Sequence, residues 1–309
     1  MKPLHVETPL LESGPLSRIH GGSVWLKMDA LQPTGSFKIR GIGAACQRAV
    51  AEGAERLVSA SGGNAGQATA YAGRRLGVPV TVVTPTTTSA YVHELLRAEG
   101  ATVLAHGEAW DQTDLFARDL AERERGRYIH PFDDPVVWGG HASLMREVAD
   151  DGLQPDAIVT VVGGGGLLCG LLQGMHAAGW TDVPVLAVET QGANSYAAAV
   201  EAGHLVTLDR IRSIAVTLGA RTVAAEALAW ASRHPVRPWI VSDREAVTAC
   251  RRFADDHRVL VEPSCGAGLS AVYERAEPLR GKKCVLVIVC GGAGVSLEML
   301  DRWERELPR

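Results

Sequence analysis

The chain has 309 residues, 46% of them hydrophobic and 21% charged, with a formal net charge of −4. That is an ordinary globular composition, long enough for one large α/β unit or two domains. Both signs of charge are mixed along the chain and aromatics reach only 5%, which excludes a basic nucleic-acid footprint, a polybasic membrane patch and a stacking platform for bases.

The six cysteines, Cys46, Cys169, Cys250, Cys265, Cys284 and Cys290, form no CxxC pair, and several lie in apolar runs. Buried free thiols in a reducing compartment are therefore expected, and not a disulfide framework or a zinc site. No apolar run reaches membrane-spanning length, and the N-terminus MKPLHVETPLLESG lacks a leader pattern. The expectation is a cytoplasmic protein.

In chain order, the predicted strands are SVWLKM (23–28), RLVSA (56–60), VTVVT (80–84), ATVLA (101–105), AIVTVV (157–162), PVLAVE (184–189) and KCVLVIVC (283–290). Most are nearly continuous apolar runs, as expected of parallel strands covered on both faces. Helices fall between them. NAGQATAYAGRRLG, SAYVHELLRAEG and AWDQTDLFARDLAERERG end on Gly77, Gly100 and Gly126, suitable helix stops. The last helix, SLEMLDRWEREL, is expected to bury a stripe of Leu297, Leu300, Trp303 and Leu307. The alternation predicts an α/β fold of two domains, each a mostly parallel twisted sheet flanked by helices. YIHPFDDPVVWGGHA (128–142) is the crossover. The expected domains are 34–135, and 1–33 together with 136–309.

Three glycine-rich loops follow strands. VVGGGGLLCG places Gly163, Gly164, Gly165 and Gly166 before a helix, where free amides and the helix dipole suit a phosphate. No GK[ST] follows, and four glycines exceed what a tight turn needs. SASGGNAGQA sets Ser61, Gly62, Gly63 and Asn64 at another helix start, which suits a carboxylate; a plain N-cap by Ser61 or Asn64 is the alternative. CGGAG, from Cys290, follows the most apolar strand, at the strand end where α/β sheets place ligands, but taken alone it reads as a buried cysteine followed by a turn. Lys38, in PTGSFKIRG, opens a helix. Spacing alone leaves it as a solvated side chain, a phosphate partner or an amine that bonds a carbonyl.

SFKIRG, SGGNAG, GGGGLL and CGG, in this order, resemble the fold-type-II pyridoxal-phosphate enzymes, the tryptophan-synthase-β-like superfamily. Within it, LKMDALQPTGSFKIRGIG, FDDPVVWGGHAS, VVGGGGLLCGLLQG and VIVCGG look like the L-serine/L-threonine dehydratases, the animal-type serine dehydratases in particular. The resemblance runs over nearly the whole chain. It implies pyridoxal 5′-phosphate bound as a Schiff base to Lys38, with Phe37 against its ring. Asn64 would meet its phenolic oxygen, Gly163 to Gly166 and Leu167 its phosphate, and Cys290 its ring nitrogen. Ser61, Gly62, Gly63, Asn64 and Ala65 would hold the substrate carboxylate. Glu189, with Gly163, Ala193 and Leu218, resembles a site for a monovalent cation such as K+. A homodimer that binds no nucleic acid or membrane is implied as well.

The implied reaction is β-elimination, with Lys38 also the base. A thiol partner such as Cys290 suits elimination better than transamination, since it leaves the ring nitrogen unprotonated. Serine racemases carry serine at the position of Gly62, so racemisation is expected to be poor. Many dehydratases have alanine there and a slower subgroup has glycine. Ala65, where many threonine deaminases have histidine, leans toward serine. No C-terminal regulatory domain is expected. The competing readings are β-replacement, as in cysteine or threonine synthases, and a dinucleotide-dependent oxidoreductase that uses 163–170 as its fingerprint and Glu189 for the ribose.

Overall fold

A computed structural model of the chain describes residues 1–108 and 110–308. Among them run ten strands: β1 (Leu10–Glu12), β2 (Ser23–Lys27), β3 (Leu57–Ser59), β4 (Val80–Thr84), β5 (Thr102–Ala105), β6 (Arg127–Tyr128), β7 (Ala157–Val161), β8 (Val185–Thr190), β9 (Val236–Val241) and β10 (Cys284–Ile288). They form two sheets, in the orders β5-β4-β3-β6 and β1-β2-β10-β7-β8-β9. Every pairing is parallel except β1 with β2. This is the two-sheet α/β architecture expected. The apolar runs of β4, β7 and β8 are buried at every residue, which fixes them inside their sheets.

Three strands have no counterpart among the predicted ones: β1, β6 and β9. All three are edges. An edge strand is not covered like a central one, so it need not carry a continuous apolar run, although the fourth edge strand, β5, does. β9, VRPWIV, even carries Pro238, which only an edge tolerates.

The chain divides into two compact units. The first holds Met1–Val6 and Gln32–His141, the second Glu7–Leu31 and everything from Ala142. Residues 1–6, 32–33 and 136–141 thus cluster with the smaller unit, and not with the larger as the expected boundaries had it. The reason for the last segment is close helix packing. The helices Lys38–Ala51 and Pro135–His141 meet backbone to backbone through Gly41 and Gly140. A Cβ on Gly41 would stand 2.4 Å from the Val137 carbonyl oxygen, and one on Gly140 would stand 2.5 Å from that of Arg40.

In the first unit the helices Asn64–Leu76 and Trp110–Arg123 pack on β3 and β4. Its core gathers Ile39, Ile42, Leu57, Val80, Val82 and Leu96. In the second unit the helix Pro263–Tyr273 is buried along its whole length and packs on β7 and β8. The Lys27 ammonium, fully buried, is met by Glu147 at 2.6 Å and by the Thr8 carbonyl at 2.6 Å. A buried charge survives only with such partners.

The last helix, Leu297–Glu306, corrects one expectation. Leu300 is buried and Trp303 and Leu307 are half-buried, but Leu297 is 65% exposed. It lies in the first turn, roughly 120° round the helix from Trp303, and so off the covered face. Among the described residues no helix is long and apolar enough to cross a membrane.

The Gly41 contact is testable. Gly41→Ala is expected to cost roughly 1–3 kcal/mol in urea denaturation, because neither the Val137 carbonyl nor the His141 ring can retreat. Gly139→Ala, in the facing helix Pro135–His141 but with open space around its Cβ, is expected to be neutral or stabilising by about 1 kcal/mol or less.

Candidate active site

The first unit presents Lys38 at the first residue of a 14-residue helix. Gly35, at φ +69°, makes the turn that Gln32 closes with its carbonyl, and the chain then enters the helix at Phe37. The Lys38 Nζ donates to the Pro131 carbonyl oxygen at 2.6 Å. It also stands 5.3 Å from the centre of the Phe37 ring, a favourable position for a cation. Behind Phe37 lies His141, ring centres 4.9 Å apart. Burial, with Lys38 and Arg40 nearby, pushes the His141 imidazole well below its ordinary range, so it is neutral.

The 61–65 loop lies at the start of the Asn64–Leu76 helix. The residue in the N-cap position is Gly63, and no side chain caps the helix. The Ser61 hydroxyl accepts from the Gly63 amide at 3.3 Å. The plain N-cap by Ser61 or Asn64 is therefore not what the loop builds. Gly63 has no side chain with which to cap the helix itself, and a helix start of this kind suits a bound carboxylate. The Trp110 indole donates to the Ala60 carbonyl at 2.7 Å and pins the entry to the loop. Asn64 and Ala65 are buried, while Ser61, Gly62 and Gly63 are half-buried. A Cβ on Gly62 would stand 3.0 Å from the Thr88 methyl, so alanine there requires a small shift of Thr88.

In the second unit β7 runs directly into Gly163 to Gly166 and the 12-residue helix Gly166–Ala177. Gly165 has φ +90°, and a Cβ on it would stand 2.6 Å from that of Ala227. Gly163 is pressed against Leu218, 2.9 Å from its Cα to the position of a Cβ. Both glycines are thus required by space, and Gly165 also by backbone conformation. The Gly164 carbonyl accepts from the Ala224 amide at 3.0 Å, which fixes the loop from outside. No side chain caps this helix either. A cradle of small residues at a helix N-terminus fits a phosphate.

Cys290, just beyond β10, is 3% exposed. Its thiol is held well above its ordinary range, chiefly by a hydrogen bond with the Cys265 thiol, then by burial and the Glu262 carboxylate. It is a neutral S–H group, able to offer a ring nitrogen a weak hydrogen bond and no charge. Gly292, at φ +128°, passes so close to Glu262 that a Cβ would fall 2.0 Å from its carboxyl carbon. Thr217 donates to the Glu262 Oε1 at 2.5 Å. Cys265, Glu262 and Thr217 escaped the sequence reading. Only the Glu-Pro pair at the head of a buried helix could have pointed to them.

Glu189, at the end of β8, is fully buried. Its two oxygens accept from the Tyr196 amide at 2.9 Å and the Ala197 amide at 2.7 Å. Burial still outweighs these bonds and pushes its pKa up to about 7. The Ala193 amide closes a turn on the Thr190 carbonyl. The Ser195 and Tyr196 hydroxyls are buried without a hydrogen-bond partner among the described residues. A bound cation would stabilise the charged form that burial disfavours at Glu189. No cluster of three or more His, Cys, Asp or Glu that could hold a transition metal occurs among the described residues.

Comparison with known proteins completes the description. The family described as "Pyridoxal-phosphate dependent enzyme" matches residues 1–291. The chain is 49% identical to the L-serine dehydratase/L-threonine deaminase of Mus musculus, over 98% of this chain and 96% of that protein. It is 42% identical to the L-serine dehydratase of Dictyostelium discoideum, over 99% and 93%. A crystal structure of a fungal L-serine ammonia-lyase from Rhizomucor miehei superposes with a TM-score of 0.93 at 39% identity, covering 99% of each chain.

The Glu189 environment carries a pH signature. The folded state holds this proton up to about pH 7, whereas the unfolded chain loses it near the ordinary 4.5. Stability from this group is therefore highest below about pH 4.5, falls as pH rises and is flat above about 7. The loss is on the order of 3 kcal/mol. Glu189→Gln removes it, so in cation-free buffer the stability gap between variant and wild type should shift in the variant's favour between pH 5 and pH 8, as read by urea melts at each pH.

Proposed function

The chain belongs to the pyridoxal-phosphate dependent enzymes, and from that premise we propose that it is an ammonia-lyase that converts L-serine to pyruvate and ammonia, and L-threonine to 2-oxobutyrate and ammonia. The observation that carries the reading is the neutral Cys290 thiol, taken with the Lys38 amine at its helix start. A carboxylate in place of Cys290 would stabilise a long-lived charge at Cα and favour transamination. A thiol favours prompt loss of the β-hydroxyl.

The residues fit pyridoxal 5′-phosphate. Gly163, Gly164, Gly165, Gly166 and Leu167 would hold its phosphate, Phe37 would flank its ring, Asn64 would meet its phenolic oxygen, Cys290 its nitrogen, and Lys38 would bond its aldehyde. The cofactor supplies an aldehyde that captures the substrate amine and a ring that draws electrons from Cα. The amides of Ser61 to Ala65 bind the substrate carboxylate and so aim the Cα–H at the Lys38 Nζ, which takes the proton. The Pro131 carbonyl, already 2.6 Å from that nitrogen, accepts a hydrogen bond from the ammonium so formed. Gly62 has no side chain with which to return a proton from the other face, which keeps racemisation slow.

Glu189, with the Gly163, Ala193 and Leu218 carbonyls, would take K+. The cation would neutralise a carboxylate that burial otherwise disfavours, and so brace the phosphate loop from Gly163. A cytoplasmic homodimer is part of the same reading; all six cysteines are free thiols, which agrees with a reducing compartment.

Two outcomes are expected. Borohydride reduction of the yellow protein, followed by peptide mapping, should place the cofactor on Lys38, and Lys38→Ala should lower turnover of L-serine by about three orders of magnitude or more. Label on another lysine would overturn the assignment, and sulfide incorporation in place of ketoacid release would favour β-replacement. K+ should raise the melting temperature at pH 8 more than at pH 5, and Glu189→Gln should abolish the difference.

A further inference from the structure

His130 is absorbed by nothing above, yet it organises the segment that Lys38 leans on. Its Nδ1 accepts two backbone amides, from Asp133 at 2.7 Å and from Phe132 at 3.3 Å. Residues 131–133 therefore wrap around the imidazole, and this wrap carries the Pro131 carbonyl whose oxygen takes the Lys38 amine at 2.6 Å. The ring itself is boxed. Phe132 stands edge-on at 4.8 Å, Tyr128 at 6.1 Å and Trp110 at 6.2 Å. Tyr128 is tied by its hydroxyl to Asp114, and Arg118 covers the Tyr128 ring at 4.4 Å while binding Asp114 at 2.7 Å. Trp110 is tied in turn to the Ala60 carbonyl, at the entry to the carboxylate loop.

We propose that His130 is a positioning residue for the proton transfer at Lys38: as a neutral imidazole with its proton on Nε2, it holds the 131–133 turn so that the Pro131 carbonyl fixes the Lys38 amine. The inference rests on the reading of Lys38 as the base. An Nδ1 that accepts two N–H groups cannot carry a hydrogen. Every charged group that faces the ring bears on this. Arg118 and Lys38 oppose a charge on it, Asp114 and Asp134 favour one, and burial decides, pushing the pKa down to about 4. The turn therefore stays wrapped across the range in which an amine base works. Below about pH 4 the ring would gain a hydrogen at Nδ1 and expel both amides.

His130→Leu should remove the wrap, and His130→Asn, whose side-chain oxygen can accept an amide, should keep part of it. For the loaded enzyme acting on L-serine, His130→Leu is expected to lower kcat on the order of tenfold or more with KM changed by less than about threefold. It should also move the pH profile of kcat, and His130→Asn should recover most of the loss. Wild-type kcat and pH profile in a folded His130→Leu would overturn the proposal, as would an asparagine variant as impaired as the leucine one at wild-type melting temperature. A second measurement needs neither variant nor cofactor. In wild-type protein stripped of cofactor, 15N NMR of the imidazole should show Nδ1 bare and Nε2 protonated from pH 5 to pH 9, and hydrogen on Nδ1 would overturn the proposal. Failure of the wild type to label at Lys38 would count against the reading of Lys38, and the NMR result would still decide what His130 does to the turn.

Discussion

A lysine amine half-buried beside an aromatic ring needs an acceptor, and the Pro131 carbonyl supplies it at 2.6 Å. Much of the first unit follows from that bond. The helix Lys38–Ala51 must start where Lys38 can reach the 131–133 turn, and that turn must be shaped by His130. The Pro135–His141 helix that continues the turn must then pack against the first helix without side chains in the way. Gly41 and Gly140 meet that requirement. A single amine thus sets the turn, the helix start and the two glycines behind it.

Burial also decides which groups carry charge. Cys290, His130 and His141 are all pushed toward their neutral forms. For Cys290 the largest cause is a second thiol, Cys265, and for the two histidines it is desolvation. Neutral groups can orient hydrogen bonds without holding a counter-charge that a reacting centre would have to overcome. Burial pushes Glu189 the same way, up to about 7, although its two oxygens accept backbone amides and so favour its charge. This is the physical basis for reading a monovalent cation there.

Much of this was legible in the sequence, and the legible part has a common cause. Central strands such as VTVVT and AIVTVV are apolar on both faces, so they announce themselves, and glycine-rich loops after them mark where an anion can approach. Gly163 and Gly165 were readable for that reason, whereas spacing left the role of Lys38 open and only the family resemblance pointed to it. The edge strands β1, β6 and β9 were not, because they are very short or broken by arginine and proline, whereas the edge strand β5 was read from its run ATVLA. Cys265, Glu262 and His130 were not readable either. Their importance depends on contacts across long stretches of chain, such as Thr217 to Glu262, or on a turn wrapped around one imidazole, and neither leaves a periodic trace. Leu297 shows the converse: a leucine at helical spacing that the fold leaves in solvent.

The most direct measurement is the product stoichiometry from L-serine, with purified protein saturated in pyridoxal 5′-phosphate. The account predicts pyruvate and ammonia in equal amounts, far less from D-serine, and none above background from Lys38→Ala. A protein that carries its cofactor on Lys38 yet releases no ketoacid from L-serine or L-threonine would contradict it.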